Sequence, residues 1–222
     1  MESPRPNKQG QGQRPAPRLT LITPLLDDAA AFTRALASVL SVADVAAVLL
    51  RLAPADERTQ INRIKTLAPT VQQSDIALLL DGHPDLVARS GADGAHLTGI
   101  AALNEAIGDL QPARIAGVGG LQTRHDAMLA GEAGADYVMF GEPDMAGRRP
   151  SFAAIVERVA WWAEVFQPPC VGFAGSLDEV AALAAVGADF VALGDWVWTA
   201  ASGPEAAIAA AQAQLVVPER VG

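Results

Sequence analysis

The sequence predicts an α/β chain folded as a (β/α)8 TIM barrel, and two observations carry that prediction. First, three stretches echo one another: Gly91-Ala-Asp-Gly-Ala-His-Leu97, Gly134-Ala-Asp-Tyr-Val-Met-Phe140 and Gly187-Ala-Asp-Phe-Val-Ala-Leu193. Each reads as a helix stop, a tight turn and an apolar strand. A glycine just past a helix closes its last turn in the left-handed conformation. The apolar run that follows is too short for a helix and suits a strand buried on both faces. Second, from Leu19 onward apolar runs alternate regularly with amphipathic segments, the pattern of stacked βα units. The runner-up is an open doubly wound sheet, but no Gly-rich dinucleotide fingerprint follows the first strand.

The elements can be placed in order. Residues 1–18 are rich in Pro, Gln and Gly with almost no large apolar side chain, and read as a disordered tail. Residues 19–216 make the barrel and 217–222 a C-terminal tail. Strands are expected at 19–23, 46–50, 76–80, 93–97, 114–118, 136–140, 170–173 and 189–193. Helices are expected at about 28–42, 57–68, 84–90, 100–109, 123–133, 151–165, 176–186 and 204–214. Ser176 and Glu179 have capping-box spacing, Thr123 with Asp126 suits another helix start, and Pro204 with Glu205 fits a first turn.

Composition narrows the partners. The formal charge is −9, from 16 basic and 25 acidic residues. The tail holds four of the basic and one of the acidic side chains, so the body carries 12 against 24. That surface repels phosphodiester backbones and argues against nucleic acid. Cys170 is the only cysteine, which rules out an internal disulfide and fits a reducing compartment. Its strand position favours a buried, inert thiol. With no apolar stretch of spanning length and no signal-peptide core, no membrane partner and a cytoplasmic setting are expected.

In such barrels the site forms where strands end. Those ends offer Thr23, Arg51, Asp81, His83, His96, Thr98, Gly119, Gly120, Gln122, Glu142, Asp144, Arg148, Arg149, Gly175, Ser176, Asp195, Trp196 and Trp198. The aspartates of the three echoes fall at the opposite end and read as structural. The loop Gly172-Phe-Ala-Gly-Ser176 leads into a helix start, either a phosphate cradle or a plain tight turn. Asp195 beside it would repel an anion unless turned away, with Arg148 and Arg149 as compensating charge. Arg51 interrupts an apolar run and favours an anionic partner. His96 lies within a strand, as a pocket residue or a hydrogen-bonded core histidine. Trp196 either lines a pocket or plugs the barrel mouth. No metal-binding motif or cluster of convergent carboxylates appears, so no metal ligand is assigned.

Several of these pieces resemble the thiamine phosphate synthase family and its relative, the thiazole tautomerase TenI. The similarity runs from about Leu19 to Val197. It rests on Leu21-Ile-Thr23, Leu80-Asp-Gly-His-Pro-Asp-Leu86, the 91–97 echo, Ile115-Ala-Gly-Val118, Gly134-Ala-Asp-Tyr-Val138 with Gly141, and Gly187-Ala-Asp189. The resemblance implies an enzyme that joins a pyrimidine diphosphate to a thiazole phosphate, with Mg²⁺ holding the diphosphate. Where the family has Gln-x-Arg-x-Lys after strand two, this chain has Leu49, Arg51 and Ala53. The family's two metal carboxylates meet Gly82, with Asp81 beside it as the one possible substitute, and Ala101; the serine after strand five meets Gly119 or Gly120, and TenI's histidine meets Gln122. Arg149 falls near the place of a lysine, and Gly194-Asp195 replaces a Val-Ser pair.

On that resemblance the expected catalytic residues are Arg51, Asp81 and Arg149. Gly175, Ser176 and Gly194 are expected to bind phosphate; His83, His96, Gly119, Gly120, Gln122 and Trp196 are expected to line the pocket. The ligand is expected to be a phosphorylated small molecule, and a homo-oligomer stays open. The replaced ligands place synthase activity in question. The alternative is a non-catalytic paralogue that binds a phosphorylated metabolite or a protein partner. A third reading is metal-independent acid–base chemistry by His83, Glu142 or Asp144.

Overall fold

A computed structural model describes residues 15–215. Most of the expected N-terminal tail and all of the C-terminal one lie outside the described residues. Eight parallel strands close into a barrel in the order β1 to β8, with β1 pairing to β8 through Leu19 and Val191. The strands are β1 (Arg18–Leu26), β2 (Val45–Leu52), β3 (Ala77–Asp81), β4 (Gly94–Thr98), β5 (Ile115–Gly119), β6 (Tyr137–Phe140), β7 (Cys170–Ala174) and β8 (Phe190–Leu193). Between them run α1 (Ala29–Leu40), α2 (Glu57–Gln72), α3 (Pro84–Ser90), α4 (Gly99–Leu110), α5 (Arg124–Ala133), α6 (Phe152–Val165) and α7 (Leu177–Ala185). After β8 come a one-turn helix, α8 (Asp195–Trp198), and α9 (Pro204–Gln214). The expected barrel is therefore the observed one.

Alternate strand residues build two cores. Leu21, Val48, Leu50, Leu78 and Leu80 point outward and are sealed under the helices. Ile22, Leu49, Leu79, Met139, Val171 and Phe173 point inward and fill the barrel, as the two-residue period of a strand requires.

The lower end of the barrel explains the echoes. Gly91 and Gly134 cap their helices in the left-handed conformation. Each aspartate then makes a reciprocal pair with the strand before its own. Asp93 accepts the Leu78 amide at 2.7 Å and donates its own amide to the Leu78 carbonyl at 2.9 Å. Asp136 does the same with Ala116, and Asp189 with Cys170, each side-chain bond measuring 2.8 Å. Gln72 and Gln111 buttress the first two, each donating to the aspartate and to the glycine carbonyl of its own turn. These side chains are structural, as their position in the sequence suggests.

Four local expectations change. Arg18 opens β1 rather than closing a tail, because Asp44 holds its guanidinium. α2 continues through Pro69 to Gln72, where Leu67, Ala68 and Val71 stay buried. Asp195 begins α8 and does not end β8. The Ser176–Glu179 capping box does not form, since Ser176 makes no side-chain cap bond and Glu179 is turned toward Arg149. The Thr123–Asp126 box is present in both directions.

Candidate active site at the barrel mouth

The site grows from one level of the sheet. Asp81 is in register with His96, His96 with Gly117, and Gly117 with Tyr137. Gly117 has no side chain, and a methyl group there would overlap the Tyr137 ring. Tyr137 therefore reaches across β5 to His96, with its hydroxyl 2.9 Å from Nδ1 and the two rings stacked at 5.7 Å. Gly119 repeats the device one step higher, where a methyl group would overlap the Glu142 carboxylate. Glu142 curls back from the loop after β6, and its Oε1 lies 3.5 Å from His96 Nε2. Its Oε2 is buried with no hydrogen-bond partner.

Burial alone would push the His96 imidazole toward neutrality. The Glu142 carboxylate beside it, and then Asp81, outweigh that, and it titrates above its ordinary value. Burial drives the Tyr137 hydroxyl well above its usual range, and the charges of Glu142, Asp81 and Asp136 act in the same direction. Tyr137 thus keeps its proton at neutral pH.

Above this floor the mouth opens as a cavity of about 700 Å³. Arginines dominate its rim, and each has a different hold. Arg51 Nη1 meets Asp195 at 2.9 Å, with about a third of its side chain and two thirds of the aspartate's exposed. The Arg51 amide donates to the Thr23 hydroxyl at 3.0 Å, where the β1–β2 register breaks near Pro24. Arg148 pairs with Asp144 inside one loop. Arg158 donates to the carbonyls of Leu121 and Gln122. Arg149 is held hardest: it makes three bonds of 2.9–3.2 Å to Glu179, donates to the carbonyls of Gly141 and Phe173, and lies over the Phe173 ring. Glu179 also accepts the Gly175 amide at 2.7 Å.

The cavity brings together Arg51, Asp81, His96, Gly120, Gln122, Arg149 and Gly194 from the expected set. His83, Gly119, Gly175, Ser176 and Trp196 do not line it. His83 precedes α3 as its N-cap residue, and Ser176 is an exposed N-cap of α7. Trp196 donates its indole N–H to the Ala174 carbonyl at 2.9 Å, and Trp198 donates to Ile22. Gly119 serves by making room for Glu142. Two residues of the site, Tyr137 beneath the cavity floor and Arg158 on its rim, are not among the expected set. The signal for Tyr137 was the matching strand position of His96 and Tyr137 around Gly117; Arg158 lies mid-helix and left none.

A closed eight-stranded βα barrel with its pocket at the C-terminal strand ends defines the class: a TIM-barrel protein with the usual placement of an active site. The family model described as thiamine monophosphate synthase matches residues 19–197, and the chain belongs to that family. It is 42% identical over 195 residues to a thiamine-phosphate synthase of Rhodospirillum centenum, covering 86% of this chain and 94% of the relative. A thiamine-phosphate synthase of Hyphomonas neptunium is 35% identical, covering 89% and 93%. Among solved structures, the thiamine phosphate pyrophosphorylase of Pyrococcus furiosus superposes with a TM-score of 0.74 over 91% of this chain and 96% of that one, at 20% identity. The 3-hexulose-6-phosphate synthase of Salmonella typhimurium reaches 0.68 at 22% identity, over 89% and 98%. These two likenesses speak to the fold.

The residues present do not fit the Mg²⁺ that the family resemblance implies. Gly82 and Ala101 stand at the two carboxylate positions and offer no side-chain donor. Among the described residues no group of three or more His, Cys, Asp or Glu side chains is placed to hold a metal. No helix of the described residues is long and apolar enough to cross a membrane.

Proposed function

We propose that this chain is a thiamine-phosphate synthase in activity, joining a pyrimidine diphosphate to a thiazole phosphate at the barrel mouth. The observation that carries the reading is the 42% identity to the Rhodospirillum centenum enzyme along 94% of that protein. The arginine rim supplies the charge such a reaction needs. An exposed ion pair is worth only about 0.2–1 kcal/mol, so Arg51 can leave Asp195 for a diphosphate at small cost. Guanidinium and phosphate then form charge-assisted, paired hydrogen bonds, strongest as charge develops on the departing group. Arg149, committed to Glu179, holds the loop before α6 against the first turn of α7 and leaves substrate contact to Arg51. Asp81 lies on the floor of the same cavity. A cytoplasmic setting belongs to the same proposal.

A second reading is favoured by the missing donors at Gly82 and Ala101 together with the amide of Gly175 being taken by Glu179. In that reading the chain binds a phosphorylated metabolite and turns nothing over. A coupled assay with both substrates, with and without Mg²⁺, separates the two. Product above background is expected. Its absence, alongside measurable binding of thiamine phosphate or pyrophosphate, would establish the binding-only reading instead.

A further inference from the structure

One outer face of the barrel carries apolar surface that the fold does not use. Among the described residues five large apolar side chains stand exposed, and two of them, Met128 at 39% and Val165 at 59%, lie on the neighbouring helices α5 and α6. Trp161, one turn before Val165, is half-buried and propped from below. Its ring meets Trp162 at 5.9 Å and Phe166 at 5.1 Å, and those two stack on each other at 4.2 Å. A side chain already fixed in place loses little freedom when a partner covers it, and Trp, Met and Arg are the residues enriched in protein interfaces.

The charges along α5 are symmetric about Met128. Arg124, Met128 and Glu132 are four residues apart and all exposed, so they form one stripe with a cation at its head, an apolar residue at its centre and an anion at its foot. Arg124 lies over the Trp161 ring at 4.9 Å and pairs with Glu157 at 2.6 Å. That pair is well exposed and holds the guanidinium only weakly. From this pattern we propose that the α5–α6 face binds a second copy of this chain. The two α5 helices pack antiparallel across a two-fold axis at Met128, and Arg124 of each copy meets Glu132 of the other. The acidic excess of the body makes copies repel in general; on this face each copy's cation finds an anion, on both sides of an apolar centre. The apolar Trp161 and Val165 widen that centre. The contact lies outside the barrel wall and holds whatever the mouth binds.

Sedimentation velocity of the full chain, from low to high micromolar concentration, is the test, with melting temperature as the check on folding. Wild type is expected to pass from monomer to dimer as concentration rises. Arg124→Glu and Glu132→Arg are each expected to raise the dissociation constant by about tenfold or more, because each sets like charges face to face twice in a symmetric pair. The double variant, which exchanges the two charges, is expected to recover dimerisation, a rescue that a merely structural role for either side chain would not give. Met128→Cys, treated with a short bismaleimide, is expected to yield a covalent dimer, whereas wild type, whose Cys170 is buried, yields none. A monomer at every concentration overturns the proposal and leaves the face to a different protein or to none. So does a dimer that neither charge reversal weakens, that the double variant fails to restore, or that the bismaleimide leaves unjoined.

Discussion

The two ends of this barrel handle carboxylates in opposite ways. At the lower end Asp93, Asp136 and Asp189 each accept a strand amide and return a bond from their own backbone. At the mouth Asp195 is left largely in water with a single arginine, and Glu142 holds a buried oxygen with no donor. The same functional group is only a fastener at the lower end, whereas at the mouth fasteners such as Glu179 stand beside an unfilled acceptor, Glu142. What separates them is saturation: a satisfied carboxylate stabilises the fold, whereas an unsatisfied one costs stability and is kept where a ligand can complete it.

Breaking the contrast at the mouth should give the largest effect. Arg51→Ala should lower kcat/KM for thiamine phosphate formation by about 10²–10³, or about 2.7–4 kcal/mol, the cost of losing one strong electrostatic contact to a departing charge. Its melting temperature should barely move, because the partner it loses is an exposed one. Steady-state kinetics on the purified variant decide this, and undiminished turnover would remove Arg51 from the reaction.

At the other end the signs reverse. Asp136→Ala leaves the Ala116 amide without its acceptor and should cost about 1–3 kcal/mol. For a chain of this size that is about 2–4 °C of melting temperature per kcal/mol. Turnover per folded molecule should be unchanged. A variant that melts like wild type but loses activity would mean the echo aspartates are not the fasteners described above.

A smaller effect should appear in the pH dependence of stability. His96 has a higher proton affinity folded than unfolded. Its contribution is therefore complete below the ordinary value of 6.5 and is lost as pH rises through the folded value. Denaturation midpoints followed upward across that window should fall, and the fall should shrink in Glu142→Gln, which lacks the main charge that raises His96. An equal slope in both proteins would show that Glu142 is not the cause. Smallest of all, Asp195→Asn should change stability by less than about 1 kcal/mol and strengthen inorganic phosphate binding by freeing Arg51. Weaker phosphate binding would argue that Asp195 orients the arginine rather than competing for it.

Much of this is legible in the sequence alone. The helix stops and apolar runs located all eight strands to within a few residues, because glycine turns and two-sided burial leave strong local patterns. Arg51, Asp81 and His96 were found because each is a polar residue at or inside an apolar run. The errors came from choices between partners. Glu179 has the spacing of a capping residue for Ser176, but it takes a guanidinium 30 positions earlier in the chain and the Gly175 amide instead. Gly119 looked like a place for a ligand and is a place for Glu142. Tyr137 was hidden inside an echo whose other members are plain core residues, and only the strand register sets it opposite His96.

The aspartate fasteners also divide the chain. Asp93 ties β4 to β3, Asp136 ties β6 to β5, and Asp189 ties β8 to β7, while Arg18 and Asp44 perform the corresponding join between β1 and β2. The barrel is thus laid out as four two-strand modules, each clasped within itself. A cut between Leu110 and Gln111 falls between modules and severs none of these side-chain clasps. Two fragments made there would each keep its own clasps, with Arg51 and His96 in one half and Glu142 and Arg149 in the other. The pocket would then exist only when the halves meet, and its ligand would report their reassembly.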